Sequence, residues 1–464
     1  LTINRNDYII IHMKHKKFIY HSYTIDREGF SFHFSMDEYE FRPYWSFDTS
    51  AYDFDENDEL LCELVFELGM VELISYWKSA CPPLVEVRCG NLDEWQINWW
   101  KKLYLNGLGE FFYTNNIIPK KDFMKIVVDS ADSKDSTDSK ATHPAALSCS
   151  RKLSGNLIPV GGGKDSIVTL ELLRESMDDN CCYIVGDIKR AYDSAKTAGF
   201  SDSRIVQVKR VIDPNLLELN KKGYLNGHTP FSAILAFSSL IFAYISGKKY
   251  IVLSNESSAN EGNISGEQPA TDDFQLTVNH QYSKSIEFER DFREYTRRLC
   301  KALPEYFSIL RPLNELQITK VFTRFPQYFP VFQSCNAGTK SNIWCNKCAK
   351  CLYVYIMLSA FLSDNDLIDI FGADLLDKPE LDGIFTALSD PQKNKPFECV
   401  GTREEVNYAL SSAIKLRPNK KPYLLSKYKD DIICNDVDLF GNFDNNNFIP
   451  QEFLKIFEKT SKLS

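Results

Sequence analysis

No stretch of this 464-residue chain is long and apolar enough to span a membrane. The longest apolar run, residues 231–246, carries Ser232, Ser238 and Ser239. It falls short of the roughly 20 residues a spanning helix needs and reads as a buried helix. The N-terminal region lacks a basic segment followed by a continuous apolar one, so no signal peptide is expected. Positive charge is also scarce: 54 Lys and Arg face 63 Asp and Glu, a net charge of −9. Holding nucleic acid by neutralising its phosphates requires clustered Lys and Arg. The one basic stretch, residues 415–429, interleaves its charges with Pro, Tyr and Leu, as a solvated surface does. Nucleic-acid and membrane partners are therefore disfavoured, and a small-molecule substrate is favoured. The 13 Cys are an odd number with no secretory signal. They read as reduced thiols and metal ligands rather than a disulfide frame, which points to the cytoplasm.

What is there is a globular composition, 44% hydrophobic and 25% charged, at a length suited to two to four domains. Residues 1–127 suggest an N-terminal α+β domain. Residues 8–12 and 30–34 alternate as strands do, 60–76 form a long apolar helix pattern, and the aromatics of 95–113 suit a core. Residues 129–142 are Ser-, Asp- and Lys-rich and have nothing to bury, so 128–150 reads as a flexible linker or insertion. From 151 to 330 strands alternate with helices: strands at 157–160, 181–185, 204–208 and 250–254, helices at 166–175, 188–198 and 231–246. That order predicts an α/β fold, a parallel sheet with helices on both faces. Residues 331–464 read as a Cys-rich, mostly helical part ending in a helix at 451–461.

The sharpest motif is Gly161-Gly162-Gly163-Lys164-Asp165-Ser166, between a strand and a helix. Three glycines let the chain turn tightly and bring backbone N–H groups close to an anion. The following helix offers free N–H groups and the positive end of its dipole. Lys164 adds a full charge, the Ser166 hydroxyl can reach a phosphate oxygen, and Asp165 can cap the helix or hold Mg²⁺. The spacing fits neither the Walker A loop nor the dinucleotide Gly-x-Gly-x-x-Gly. After the strand at 250–254, Asn255 and Glu256 open a polar segment running to Asn263. Ligands of open parallel sheets sit beyond the carboxyl ends of strands, so this segment is placed to meet nucleotide or substrate.

Cys335, Cys345, Cys348 and Cys351 form the second motif. Two consecutive Cys-x-x-Cys steps plus a fourth Cys can supply four thiolates to one tetrahedral Zn²⁺, with an iron–sulfur cluster ranked below it. Such a closed site is structural. Cys399 stands apart in a loop beside Glu398, and His280 lies between Asn279 and Gln281 in a polar segment.

The glycine loop resembles the PP-loop of the N-type ATP pyrophosphatases, usually Ser-Gly-Gly-x-Asp-Ser, with Gly161 where the first Ser usually stands. The resemblance implies a Rossmann-like PP-loop core that binds ATP and cleaves it between the α- and β-phosphates. The Cys spacing is similar to that of the PP-loop enzymes making 7-cyano-7-deazaguanine. A narrower resemblance is to the MurL-type epimerases of UDP-N-acetylmuramoyl-L-alanyl-L-glutamate. It is carried by the glycine loop, Ser254-Asn255-Glu256, Ala259-Asn260-Glu261-Gly262-Asn263, Val278-Asn279-His280-Gln281-Tyr282-Ser283-Lys284-Ser285 and the 344–351 cluster. Residues 395–401, 76–82 and 107–113 fit as well, so the resemblance covers about residues 60–410. It implies an ATP- and Mg²⁺-dependent isomerase of peptidoglycan precursor synthesis that inverts the terminal L-Glu through an acyl-adenylate. Gly161, Gly162, Gly163 and Ser166 would bind the pyrophosphate, Lys164 would offset leaving-group charge, and Asp165 with Glu256 would position Mg²⁺. His280, Lys284, Cys399 and Glu398 are candidates for proton transfer. Two alternatives stay open: adenylation of a nucleobase, nucleoside or tRNA carbonyl, and an inert nucleotide-binding scaffold.

Overall fold

The computed structural model describes residues 15–52, 55–120, 122–129, 151–264, 270–271, 274–275, 278–432, 438–441 and 443–460. The expected strand at 8–12 and the Ser/Asp-rich stretch from residue 130 lie outside them. The chain opens with β1 (Lys17–Asp26) and β2 (Gly29–Met36), an antiparallel hairpin. Its turn closes on Gly29, whose φ of 134° and 1.9 Å approach of a would-be Cβ to the Trp45 carbonyl oxygen admit only glycine. Next come β3 (Tyr39–Phe41), β4 (Tyr44–Ser46), α1 (Glu59–Trp77), β5 (Leu84–Val87), α2 (Glu94–Gly107), α3 (Gly109–Thr114) and β6 (Lys125–Val128). The Asp58 carboxylate starts α1 by accepting the N–H groups of Leu60 and Leu61. Apolar residues run right round α1, and it is accordingly buried along nearly its whole length.

The second half begins with β7 (Asn156–Pro159), α4 (Lys164–Leu172), β8 (Asn180–Val185), α5 (Lys189–Thr197) and β9 (Ile205–Val211). It continues through α6 (Pro214–Lys221), α7 (Phe231–Ile245), β10 (Tyr250–Leu253), the short pair β11 (Ala270–Thr271) and β12 (Phe274–Gln275), α8 (Ile286–Leu299) and β13 (Glu305–Ser308). After α9 (Glu315–Phe322) and α10 (Ala349–Ser359) the described chain is helical, ending in Gln451–Thr460. The long apolar run is α7, buried against α1.

Five strands are parallel, in the order β13-β10-β7-β8-β9. The fold is mixed α/β. Along each parallel strand successive side chains enter opposite cores: Leu157, Tyr183 and Ile251 face α1, α2, α7 and α8, whereas Ile158, Cys182 and Val252 face α4, α5, α9 and α10. The N-terminal strands continue the same sheet, because β4 pairs antiparallel with β9, followed by β2, β1, β5 and β6. Across this junction Arg210 of β9 forks onto the fully buried Glu72 of α1, with Nε donating at 2.6 Å, and Trp45 Nε1 donates to the same carboxylate at 3.0 Å. Among the described residues no helix is long and apolar enough to cross a membrane.

Candidate active site

In chain order the parallel strands lie 3-2-1-4-5, so the sheet reverses direction between β7 and β10. At such a switch point the loops leaving the two strands diverge and open a crevice at their carboxyl ends. The glycine loop leaves β7 and the Asn255 segment leaves β10, and Thr169 and Ser254 bridge the two walls by a 2.8 Å hydroxyl contact.

Each glycine of the loop has a different reason. Gly162 has φ 84°, and a Cβ there would lie 2.8 Å from the Ala191 nitrogen. A Cβ on Gly163, the N-cap of α4, would lie 2.7 Å from Ser334 Oγ. Gly161 meets nothing within 4 Å. A Gly161→Ser variant is therefore expected to keep its stability within about 0.5 kcal/mol, while Gly162→Ala loses more than about 1 kcal/mol through backbone strain. Urea unfolding of both decides this, and equal losses would mean that the loop is not open at residue 161. Ser166 turns its hydroxyl back to the Gly163 carbonyl oxygen at 2.9 Å.

At the start of α4, Lys164 is 2% exposed and its Nζ is held between the carboxylates of Asp165 and Glu315. Glu315 opens α9 and was not foreseen. Oxygens of Asp165, Glu256 and Glu315 all lie within 4.8 Å of one another. A divalent cation with oxygen ligands at about 2.1 Å fits such a spacing, and Mg²⁺ commonly takes one or two carboxylates plus phosphate oxygens. Burial pushes the Glu256 and Glu315 carboxyls up, with Asp165 adding repulsion. Asp165 is held below the usual range: burial opposes this, but Lys164, Lys350 and Lys284 outweigh it.

Behind these groups lies a second layer. The fully buried Arg311 donates to the backbone oxygens of Glu256 and Lys284, each at 2.6 Å, and to the Glu289 carboxylate at 2.9 Å. Glu405 accepts from Ser258 Oγ at 2.8 Å and from the Glu315 N–H at 2.7 Å. Asn255 turns to Ser308 Oγ at 3.1 Å, so of its pair with Glu256 only the acid joins the carboxylate group.

Lys284 connects the carboxylates to a thiol. Its Nζ lies 3.1 Å from Cys399 Sγ. His280 is near enough to act on that thiol and pairs through Nδ1 with Glu110 of α3. His228 approaches the same Glu110 oxygen at 3.3 Å, its ring 4.5 Å from that of His280. Asn263 sets the register of this group: its Oδ1 accepts the His280 N–H and its Nδ2 donates to the Pro396 carbonyl, both at 2.8 Å. Burial alone would raise the Cys399 thiol, yet Lys284, His280 and Lys350 together hold it well below its ordinary value. Burial would likewise discharge His280, but Cys399 and Glu110 lift it to about 9. Burial, His280 and Lys78 drop His228 to about 3, so it is neutral. Glu398 accepts from Asn336 Nδ2 at 3.1 Å.

The four cluster cysteines converge, with Sγ separations of 3.8 Å (Cys335–Cys348), 3.7 Å (Cys345–Cys351) and 3.5 Å (Cys348–Cys351). A tetrahedral zinc with bonds of about 2.3 Å sets its sulfurs about 3.8 Å apart, so the donor set fits that ion. This segment braces the glycine loop. The Gln333 N–H donates to the Gly162 carbonyl at 2.8 Å, and Arg190 of α5 spans to the Pro330 and Asn342 carbonyls at 2.5 and 2.6 Å. It also reaches the thiol, because Lys350 of α10 donates to the Cys399 carbonyl.

Of the expected site residues, Lys164, Asp165 and Glu256 form one group, His280, Lys284 and Cys399 a second, and the four cysteines a third. Glu315, Glu110, His228, Lys350 and Arg311 were missed. Residues 11–309 match the family model of the MurL N-terminal domain, and residues 331–434 that of the MurL C-terminal domain. The UDP-N-acetyl-alpha-D-muramoyl-L-alanyl-L-glutamate epimerase of Xanthomonas oryzae pv. oryzae is 32% identical over 372 residues, 79% of this chain and 77% of that one. The epimerase of the same name from Salinispora tropica is 34% identical over 364 residues, 77% and 74% of the two chains.

Proposed function

The chain belongs to the MurL epimerase family, and from that premise we propose that it inverts the terminal L-Glu of UDP-N-acetylmuramoyl-L-alanyl-L-glutamate to D-Glu through an acyl-adenylate, releasing AMP and pyrophosphate. What carries the reading is the convergence of Lys164, Asp165, Glu256 and Glu315 at the switch point, beside the glycine loop and one residue contact away from the Cys399 thiol. The core is read as a PP-loop ATP pyrophosphatase fold working in the cytoplasm.

The chemistry requires activation. Removing Cα–H from a free carboxylate would put two negative charges on one small unit. Joining the α-carboxylate to AMP makes it an activated acyl group, and the Cα proton becomes far more acidic. Gly161, Gly162, Gly163 and the first turn of α4 bind the β,γ-phosphates through backbone N–H groups. Lys164 offsets charge on the departing pyrophosphate. Asp165, Glu256 and Glu315 would hold Mg²⁺, which supplies charge neutralisation on the phosphates. The four cysteines would hold a structural zinc that keeps the loop braced. Lys284, His280 and Cys399 attend the reacting carbon. Incubation with ATP, Mg²⁺ and the dipeptide precursor should yield AMP, not ADP, and only with the precursor present. AMP release that ignores the precursor would contradict the reading.

A further inference from the structure

Cys399, His280 and Glu110 stand in the relation of a nucleophile, a base and the group that orients the base. Three separate parts of the chain bring them together: the loop after residue 395, the segment before α8 and helix α3. Glu110 fixes the imidazole through Nδ1, and His280 and Cys399 stand near enough to shift one another's protonation. Lys284 Nζ at 3.1 Å supplies a second positive charge to the sulfur. Such an arrangement keeps a half-buried sulfur in its nucleophilic form. A cysteine base at Cα would also have to be a thiolate, so the cations alone do not separate the two roles; what favours attack is an activated acyl group delivered beside a nucleophilic sulfur.

We propose that Cys399 is a covalent nucleophile whose Sγ takes the glutamyl group from the adenylate and holds it as a thioester while Cα inverts. The assignment rests on the adenylation reading above. Sγ forms a bond to the acyl carbon, the bond from that carbon to the AMP phosphate oxygen breaks, and the electron pair leaves with AMP. Esterification removes the sulfur's negative charge from beside His280, and in this cycle the ring then gives its proton to solvent. Neutral His280 then takes the Cα proton. Water returns a proton to the opposite face of the enolate and its hydroxide to the acyl carbon, Cys399 leaves as thiolate, and His280 is again charged. The sum is adenylate plus water giving D-Glu carboxylate, AMP and two protons. A thioester serves this order better than the anhydride. Its α-proton is acidic because sulfur donates little to the carbonyl, and it resists water long enough for inversion to precede hydrolysis.

The test uses the full-length, metal-loaded enzyme with ATP, Mg²⁺ and the dipeptide precursor. Acid-quenched wild type should carry a hydroxylamine-sensitive adduct of the precursor's acyl mass on Cys399. Alkylation of Cys399 by iodoacetamide should be as fast at pH 6.5 as at pH 8, where an ordinary thiol with pKa about 8.5 slows more than tenfold. Cys399→Ala should retain precursor-dependent exchange of pyrophosphate into ATP within about tenfold, while inversion falls at least about a thousandfold. Three results overturn the proposal. A Cys399→Ala enzyme that inverts at a near-normal rate removes the residue from the chemistry. No adduct, with Cys399→Ala still releasing AMP at the wild-type rate without inversion, makes Cys399 a proton carrier. No precursor-dependent exchange in the wild type overturns adenylation itself, and the thioester with it.

Discussion

Replacing Lys164 with methionine is expected to cut precursor-dependent AMP formation about a thousandfold, the scale of losing one preorganised charge at a transferring phosphoryl group. The side chain is a cation wedged between Asp165 and Glu315. Its loss therefore also leaves Glu315 buried and unpaired, at a cost of about 3–5 kcal/mol in stability. A second change separates the two effects. Glu315→Gln in the Lys164→Met background removes the stranded charge, so the denaturation midpoint should recover much of its loss. AMP formation should not recover, because neither residue then offers charge to the phosphates. If activity returns together with stability, Lys164 is a structural pin and the account of the glycine loop needs another cation.

Loss of the cysteine cluster should have the next largest effect, and it should reach the nucleotide. Metal analysis of native protein should find about one zinc per chain, and Cys345→Ser should abolish it. Structural zinc contributes on the order of 10 kcal/mol to the local fold, so the segment around residues 333–351 should become open to proteases. That segment carries Gln333 and the Arg190 anchors that brace Gly162, and Lys350 that holds the Cys399 loop. ATP affinity should fall at least about tenfold, as when a supporting shell is removed from a site. A zinc-free Cys345→Ser protein that binds ATP normally would detach the cluster from the loop. Bound iron in place of zinc, visible in absorbance, would replace the metal assignment.

How much of this could be read from the sequence depends on how local each signal was. The glycine loop and the cysteine cluster are short motifs with fixed spacing; the loop does lie between a strand and a helix, and the four cysteines do converge. Helix α1 and helix α7 were legible because long apolar runs leave no other option than burial. Strand–helix alternation indicated a parallel sheet, but not that the N-terminal strands would extend it through the β4–β9 pair, since antiparallel joining across such a distance leaves no local pattern. The missed residues share one cause. Glu315 sits in a capping box at the start of α9 and reads as an ordinary first-turn acid. Glu110 lies among aromatics that read as core, and His228 sits in a Gly-, Thr- and Pro-containing turn. Only folding makes Glu110 the common partner of two histidines from distant segments. Asn263 was singled out as part of a polar loop, and its role in setting His280 against residues 395–399 needs the contacts themselves.

The most direct test of the central claim is to run the reaction in D₂O with ATP, Mg²⁺ and UDP-N-acetylmuramoyl-L-alanyl-L-glutamate. The glutamate of the product is then analysed for chirality and for deuterium at Cα. The account predicts D-Glu carrying one deuterium, formed in step with AMP. AMP without inversion, or inversion that keeps the original Cα hydrogen, would contradict it.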